Sequence, residues 1–143
     1  MWAWGQEYGT FIAYACYKIT AKHPQAQVVI TPADHAVQHV MPFKKAIQDA
    51  LIVTAQAGRL AILGVPCTSP ATGYGYIAFE EQERGLKKVT RFVEKPTQAK
   101  AQAYLAQGNY VWNTGIVIGT LATLMHQYQQ HLPALWQALE QTK

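Results

Sequence analysis

Val28, Val29 and Ile30 run directly into Thr31-Pro32-Ala33-Asp34-His35, and this change of character constrains the chain more than any other stretch. A β-branched apolar run reads as a strand buried on both faces, the mark of a central strand in a parallel sheet. The proline cannot donate the next ladder bond, so the strand is expected to end there. In open α/β sheets ligands collect beyond the carboxyl ends of the strands, and Asp34 stands at that edge. An aspartate in this place also serves as an ordinary turn or helix cap. Both readings of Asp34 stay open on the residues alone.

The rest of the chain alternates in a compatible way. Tyr8, Phe11, Ile12, Ala15, Cys16 and Ile19 recur at helical spacing over residues 7–21, and His23-Pro24 ends the pattern. Pro42 is expected to open a second helix, with Phe43, Ile47, Ala50, Leu51 and Thr54 as its stripe and Gly58 as its stop. Leu60-Ala61-Ile62-Leu63-Gly64-Val65 predicts another central strand, closed by Pro66. Thr72-Gly73-Tyr74-Gly75-Tyr76-Ile77-Ala78-Phe79 begins with two glycines, which allow backbone to approach a ligand, and becomes a strand. After a charged turn at residues 80–85, a strand over residues 87–93 ends in Glu94-Lys95-Pro96, where the proline is expected to hold Lys95 extended. Thr97 is placed to cap a helix carrying Ala101, Tyr104 and Leu105, which Gly108 terminates. Residues 110–118 read as a strand containing Trp112-Asn113-Thr114-Gly115. Leu121, Leu124, Met125 and Tyr128, then Leu135, Trp136 and Leu139 behind Pro133, form two closing helices. Trp2 and Trp4 follow no pattern.

Composition narrows the function classes. At 143 residues, half of them hydrophobic, the chain suits one packed domain over residues 1–143. The net charge of +4 is scattered, with Lys44-Lys45 and Lys87-Lys88 as the only adjacent cations. That argues against nucleic acid as a partner and suits a phosphorylated small molecule. Cys16 and Cys67 have neither metal nor redox spacing, which implies a reduced, cytoplasmic setting. Glu7 interrupts the apolar N-terminus and Lys18 closes it, so neither a signal peptide nor a membrane span is expected. His35 and His39 have the i, i+4 spacing of a zinc pair, but the glutamate and third ligand of such a motif are missing.

Three strand ends or interruptions carry polar groups: Asp34, the Glu94-Lys95 pair and Asn113. A carboxylate for a divalent cation, a lysine for a phosphate, and an acid with an amide for hydroxyls make a phosphosugar or nucleotide site. The alternative for Glu94 and Lys95 is a solvated charge pair.

Thr31-Pro32-Ala33-Asp34-His35, Thr72-Gly73-Tyr74-Gly75-Tyr76-Ile77, Phe92-Val93-Glu94-Lys95-Pro96 and Trp112-Asn113-Thr114-Gly115-Ile116, in this order and spacing, resemble the mannose-1-phosphate guanylyltransferases, also called GDP-mannose pyrophosphorylases. The resemblance runs from about residue 13 to the end. It implies an α/β, partial Rossmann-like nucleotidyltransferase fold with a mixed, mostly parallel sheet flanked by helices. By the resemblance, Asp34 binds Mg²⁺, Gly73 approaches the sugar through its backbone, Glu94 holds sugar hydroxyls, Lys95 the sugar phosphate and Asn113 the sugar. The family's reaction is attack of the sugar phosphate on the α-phosphorus of GTP, run by metal charge and positioning.

The departures from the family shape the functional expectation. Nothing here resembles the family's glycine-rich, arginine-bearing triphosphate loop, no Asp follows Asp49 to serve as the second metal ligand, and Gly5-Gln6-Glu7-Tyr8-Gly9-Thr10 matches the guanine-reading segment poorly. The expectation is a truncated or repurposed guanylyltransferase that keeps the sugar-phosphate half of the site. Such a chain is inactive alone, with no residue assigned as catalytic, and binds a sugar nucleotide or sugar phosphate with Mg²⁺. The alternative is a non-catalytic structural or regulatory remnant that self-associates or pairs with another chain. An uncovered sheet edge and the apolar N-terminal helix further predict a homodimer that buries the region of Phe11 and Ile12.

Overall fold

The computed structural model describes residues 6–82 and 87–141, so Trp2, Trp4 and part of the charged turn lie outside the described residues. The order is α1 (Gln6–Lys22), β1 (Gln27–Ile30), α2 (Val40–Ala57), β2 (Ala61–Pro66), β3 (Tyr76–Glu81), β4 (Lys87–Val93), α3 (Gln98–Gln107), β5 (Tyr110–Thr120), α4 (Leu121–His131) and α5 (Pro133–Glu140). These elements group into two compact units: Ile62–Thr114, and the chain up to Ala61 together with the chain from Gly115 onward. Strand β5 contributes its first half to one and its second half to the other.

In the second unit the helical periodicity of α1 turns Ala13 and Cys16 inward, where they meet Leu121, Leu124, Met125 and Tyr128 of α4 and Leu139 of α5. Val28 and Ile30 of β1 pack against the same cluster. Leu121 and Leu124 are fully buried, and burial of such a side chain stabilises by about 1.5–3 kcal/mol. The Tyr128 hydroxyl donates to the Gly9 carbonyl at 2.9 Å, which gives a buried phenol its partner. Helix α4 is started by Thr120, whose Oγ1 accepts from the Thr123 amide at 3.1 Å. Helix α2 packs on β1, and the Gln27 side chain donates to the Leu51 carbonyl at 2.9 Å. It begins at Val40, two residues before Pro42.

In the first unit β3 pairs with both β4 and β5, Tyr76 lying opposite Val93 on one side and Trp112 on the other. A register shift falls between Ala78 and Phe79, and β2 pairs with β5. Tyr76, Ala78 and Tyr110, spaced by two along their strands, meet Ala101 and Tyr104 of α3. The rings of Tyr104 and Tyr110 stack at 4.2 Å. Thr97 occupies the N-cap of α3 but makes no side-chain capping bond.

The registers described, β1 on β5, β3 on β4 and β3 on β5, are all antiparallel. This corrects the expectation of a mostly parallel sheet. The apolar run of β1 was its basis, yet β1 alternates exposed and half-buried residues and Val29 keeps 39% of its surface in solvent. One well-covered face is what an antiparallel strand requires. The α/β class itself, with helices packed on strands, stands.

Burial pushes the Cys16 thiol from its ordinary 9.0 up to about 11, and raises the Tyr128 phenol through burial first and the charge of Cys16 second. The folded chain holds these protons while the unfolded chain releases them. The Tyr128 contribution to stability is therefore whole below pH 10 and is lost only at higher pH, while that of Cys16 is whole below pH 9 and is lost as pH rises towards 11. Thermal denaturation followed by circular dichroism should show a melting temperature that falls across that window, with a shallower fall in Cys16→Ala. Equal slopes in the two proteins would assign the alkaline loss to other groups.

Candidate functional site

The site residues of the first unit are carried where β3 begins, β4 ends and β5 passes its midpoint. The Asn113 amide donates to the Gly75 carbonyl at 2.8 Å, which extends the β3–β5 ladder past Tyr76. Alternation along the two strands then puts Trp112 on the face of Tyr76 and α3, and Asn113 with Gly75 on the opposite face. Glu94, one residue after Val93, joins that second face. A Cβ added to Gly75 would lie 3.0 Å from Glu94 Oε2, 3.5 Å from Asn113 Cβ and 3.7 Å from the Val93 carbonyl. A methyl group at Gly75 would crowd the carboxylate, and the exposed Glu94 side chain would have to give by a few tenths of an ångström. The structure thus gathers Gly75, Glu94 and Asn113.

Lys95 and Glu94 are both exposed, and neither takes part in an ion pair described in the structure. Lys95 has φ 37°, a left-handed backbone that lysine adopts at a cost. This corrects the expectation that Pro96 holds it extended. The chain bends at Lys95 to bring a buried Pro96 and then α3 back onto the sheet, and that tertiary demand overrides the local preference before proline. Non-glycine residues held in this region cluster at functional sites.

Gly73 is exposed, with open space where a side chain would be, so the close approach belongs to Gly75. The glycine pair was legible in the sequence; which of the two touches the site residues was not. Gly115 has φ 71° within β5, a left-handed conformation that favours glycine just after Asn113-Thr114. Thr114 Oγ1 donates to the Leu63 carbonyl at 2.6 Å and ties this part of β5 to β2. Trp112 Nε1 is buried and has no hydrogen-bond partner among the described residues, and Tyr74 lies against the indole at 5.1 Å in edge contact.

Asp34 belongs to the second unit, in the loop between β1 and α2. Its carboxylate is exposed and makes no described ion pair. Among the described residues no three His, Cys, Asp or Glu side chains gather as a metal-holding group. A lone exposed carboxylate fits magnesium, which keeps most of its waters and takes one or two protein oxygens together with substrate phosphates. It does not fit zinc, which asks for three or four nitrogen or sulfur ligands.

Comparison with known proteins gives the chain its family. The model of the family described as Nucleotidyl transferase matches residues 5–142. A mannose-1-phosphate guanylyltransferase of Sinorhizobium fredii is 38% identical over 120 residues, which is 80% of this chain and 22% of that protein. The alginate biosynthesis protein AlgA of Pseudomonas aeruginosa is 32% identical over 130 residues, 89% of this chain and 27% of its own length. The crystal structure of a mannose-1-phosphate geranyltransferase from Thermus thermophilus superposes with a TM-score of 0.85 at 30% identity, covering 94% of this chain and 39% of that one. The chain thus spans under a third of the curated relatives it matches. Among the described residues no helix is long and apolar enough to cross a membrane. With the match running nearly end to end and the fold of a solved relative reproduced at this level, the chain belongs to the nucleotidyl transferase family and is guanylyltransferase-like in sequence and fold.

Proposed function

We infer that the chain serves as the sugar-phosphate-binding part of a guanylyltransferase-like site. The observation that carries this reading is the gathering of Gly75, Glu94 and Asn113 where β3 begins, β4 ends and β5 passes through, with Lys95 next in the chain. In it the Glu94 carboxylate and the Asn113 amide bind sugar hydroxyls, and the Lys95 ammonium binds the phosphate. Gly73 and Gly75 leave room for the sugar against bare backbone. Asp34 is the residue that would hold Mg²⁺, and the ion supplies positive charge to phosphate oxygens when bound.

The chain by itself is proposed not to carry out the transfer. The family reaction is run by metal charge on the phosphates, and among the described residues no group of three His, Cys, Asp or Glu side chains gathers to hold a metal. Charge stabilisation of this kind supplies much of the barrier reduction in phosphoryl chemistry. A domain that binds and does not turn over is the expected result.

Calorimetry with mannose-1-phosphate and GDP-mannose tests the reading. Wild-type chain should bind at least one of them, and Glu94→Gln should weaken binding by about tenfold, the scale of one charge-assisted hydrogen bond. Mn²⁺, used as a paramagnetic stand-in for Mg²⁺, should bind the wild type and lose affinity in Asp34→Asn. No binding of either sugar ligand at millimolar concentration would leave the non-catalytic structural alternative. Turnover of GTP and mannose-1-phosphate at ordinary enzyme rates, abolished by Asp34→Asn, would refute the inactive reading.

A further inference from the structure

Strand β4 does not run evenly along β3. Near the charged turn the ladder sets Glu81 opposite Lys87, Glu80 opposite Lys88 and Phe79 opposite Val89; near the candidate site it sets Ala78 opposite Arg91, Ile77 opposite Phe92 and Tyr76 opposite Val93. Thr90 lies between the two runs without a residue opposite it on β3. One strand thus carries a residue more than its neighbour over the same span, which is a β-bulge. Side chains alternate with a period of two, so the extra residue reverses the faces of everything beyond it.

The reversal decides where Glu94 stands. Val93 lies with Tyr76 on the α3 face, and Glu94 follows on the face of Gly75 and Asn113. If the ladder ran on evenly from Phe79 and Val89, Ile77 would face Arg91 and Tyr76 would face Phe92. Glu94 would then stand on the α3 face, away from Gly75 and Asn113. Two registers one residue apart compete for the end of β4, and the bulged one delivers the carboxylate.

We propose that Arg91 is a positioning residue, which selects the bulged register and so places Glu94 on the site face; its role in ligand binding rests on the reading of that face as sugar-binding. Arg91 lies opposite Ala78, on the α3 face. Its guanidinium stands 5.8 Å from the ring centre of Tyr104 and 5.9 Å from that of Tyr110, and it donates to the Tyr110 hydroxyl. The two rings are buried and stack on each other at 4.2 Å, so the cation meets a fixed aromatic surface. In the even register the same guanidinium would turn to the opposite face beside Ile77, which is 2% exposed, and would lose both rings and the hydroxyl. A cation moved from such partners to an apolar neighbour disfavours that register.

The other end of the hairpin is held separately. Lys87 pairs with Glu81 and lies 3.8 Å from the ring centre of Phe79, and Lys88 pairs with Glu80 at 3.8 Å. Cross-strand pairs of opposite charge favour the register that makes them. Each end of the β3–β4 ladder is therefore anchored by its own cations, and the exposed Thr90 takes up the one-residue difference between them. Bulges beside binding sites commonly re-aim a side chain in this way.

The test is a rescue. Arg91→Leu removes the cation and leaves a side chain that suits either face, so the even register should become populated. Nuclear Overhauser contacts between Tyr76 and Val93, present in the wild type, should give way in large part to contacts between Tyr76 and Phe92. With the competent register reduced to about a tenth of the molecules, apparent affinity for mannose-1-phosphate should fall about tenfold. Deletion of Thr90 joins the two runs into one even ladder that keeps Val93 opposite Tyr76. Arg91→Leu made in that background should shift no contacts and cost no affinity, a cure that a general loss of stability would not receive. Tyr76–Val93 contacts untouched by Arg91→Leu, an equal fall in affinity with Thr90 present and absent, or failure to fold in both backgrounds would each overturn the proposal. The contacts are read on the free protein, so a wild type that binds no sugar ligand would defeat the sugar-binding reading of the face while the register held by Arg91 is still decided.

Discussion

Gly64→Ala is expected to destabilise the first unit by about 2–3 kcal/mol, near the top of the range for overpacking a well-filled interior. A methyl group there would lie 2.3 Å from Val111 Cγ2 and 3.0 Å from Val111 Cβ, with the Trp112 carbonyl at 3.6 Å. Valine is stiff at χ1, and its Cβ moves only with the backbone, so the clash is relieved by separating β2 from β5. Gly119→Ala is the informative companion. Its methyl would meet Leu60 Cδ2 at 2.5 Å, the far end of a flexible side chain, with the Leu60 and Arg59 backbone at 3.7 Å. Rotation of Leu60 should hold that cost below about 1.5 kcal/mol. Urea denaturation of the two variants decides the matter: equal losses, or a tolerated alanine at Gly64, would show that β2 does not approach β5 this closely.

Lys95→Ala is expected to weaken binding of mannose-1-phosphate by about 1.5–3 kcal/mol, the value of a hydrogen bond to a charged group, which is roughly 10- to 150-fold in affinity. Lys95→Gly separates the two properties of this position. It removes the ammonium equally, so affinity should fall as far. It also replaces a residue held at φ 37° by one that adopts such a conformation freely, so the melting temperature should rise, by an amount worth up to about 1 kcal/mol. A position that is stabilised by losing its natural residue and loses ligand by the same change is one where strain is kept for a ligand. Unchanged affinity in both variants would make Lys95 a solvated surface charge, and Glu94 with it.

The elements were legible where a local pattern and the core agree. The stripes through Cys16, through Leu121 and Leu124, and through Tyr104 mark the buried faces of α1, α4 and α3. The glycine-flanked entry to β3 and the proline after Lys95 marked real breaks in the chain. Strand direction was not legible, because Val28-Val29-Ile30 records that a strand is apolar and not which neighbour it finds. Its pairing with Ile118 and Gly119 is set by residues nearly ninety positions away. The meeting of Gly75 with Asn113 is equally non-local, fixed by the register of β3 on β5. The left-handed backbone of Lys95 is set by where α3 must pack, and a rule that looks one residue ahead to Pro96 cannot contain it.

The Tyr128–Gly9 hydrogen bond joins positions 119 residues apart, and this has a consequence for the order in which the chain can acquire structure during synthesis. The unit formed by Ile62–Thr114 is one uninterrupted segment, so all its pairings become possible once Thr114 has left the ribosome. The other unit is assembled from the two ends of the chain. Until Leu121, Leu124, Tyr128 and Leu139 have been made, Ala13 and Cys16 have no cluster to enter, and α1 must wait with both its inner and its outer apolar faces uncovered. A stretch of this kind is what holding chaperones recognise on emerging chains. About a hundred residues of translation separate Cys16 from Leu121, the first of the partners that can release it.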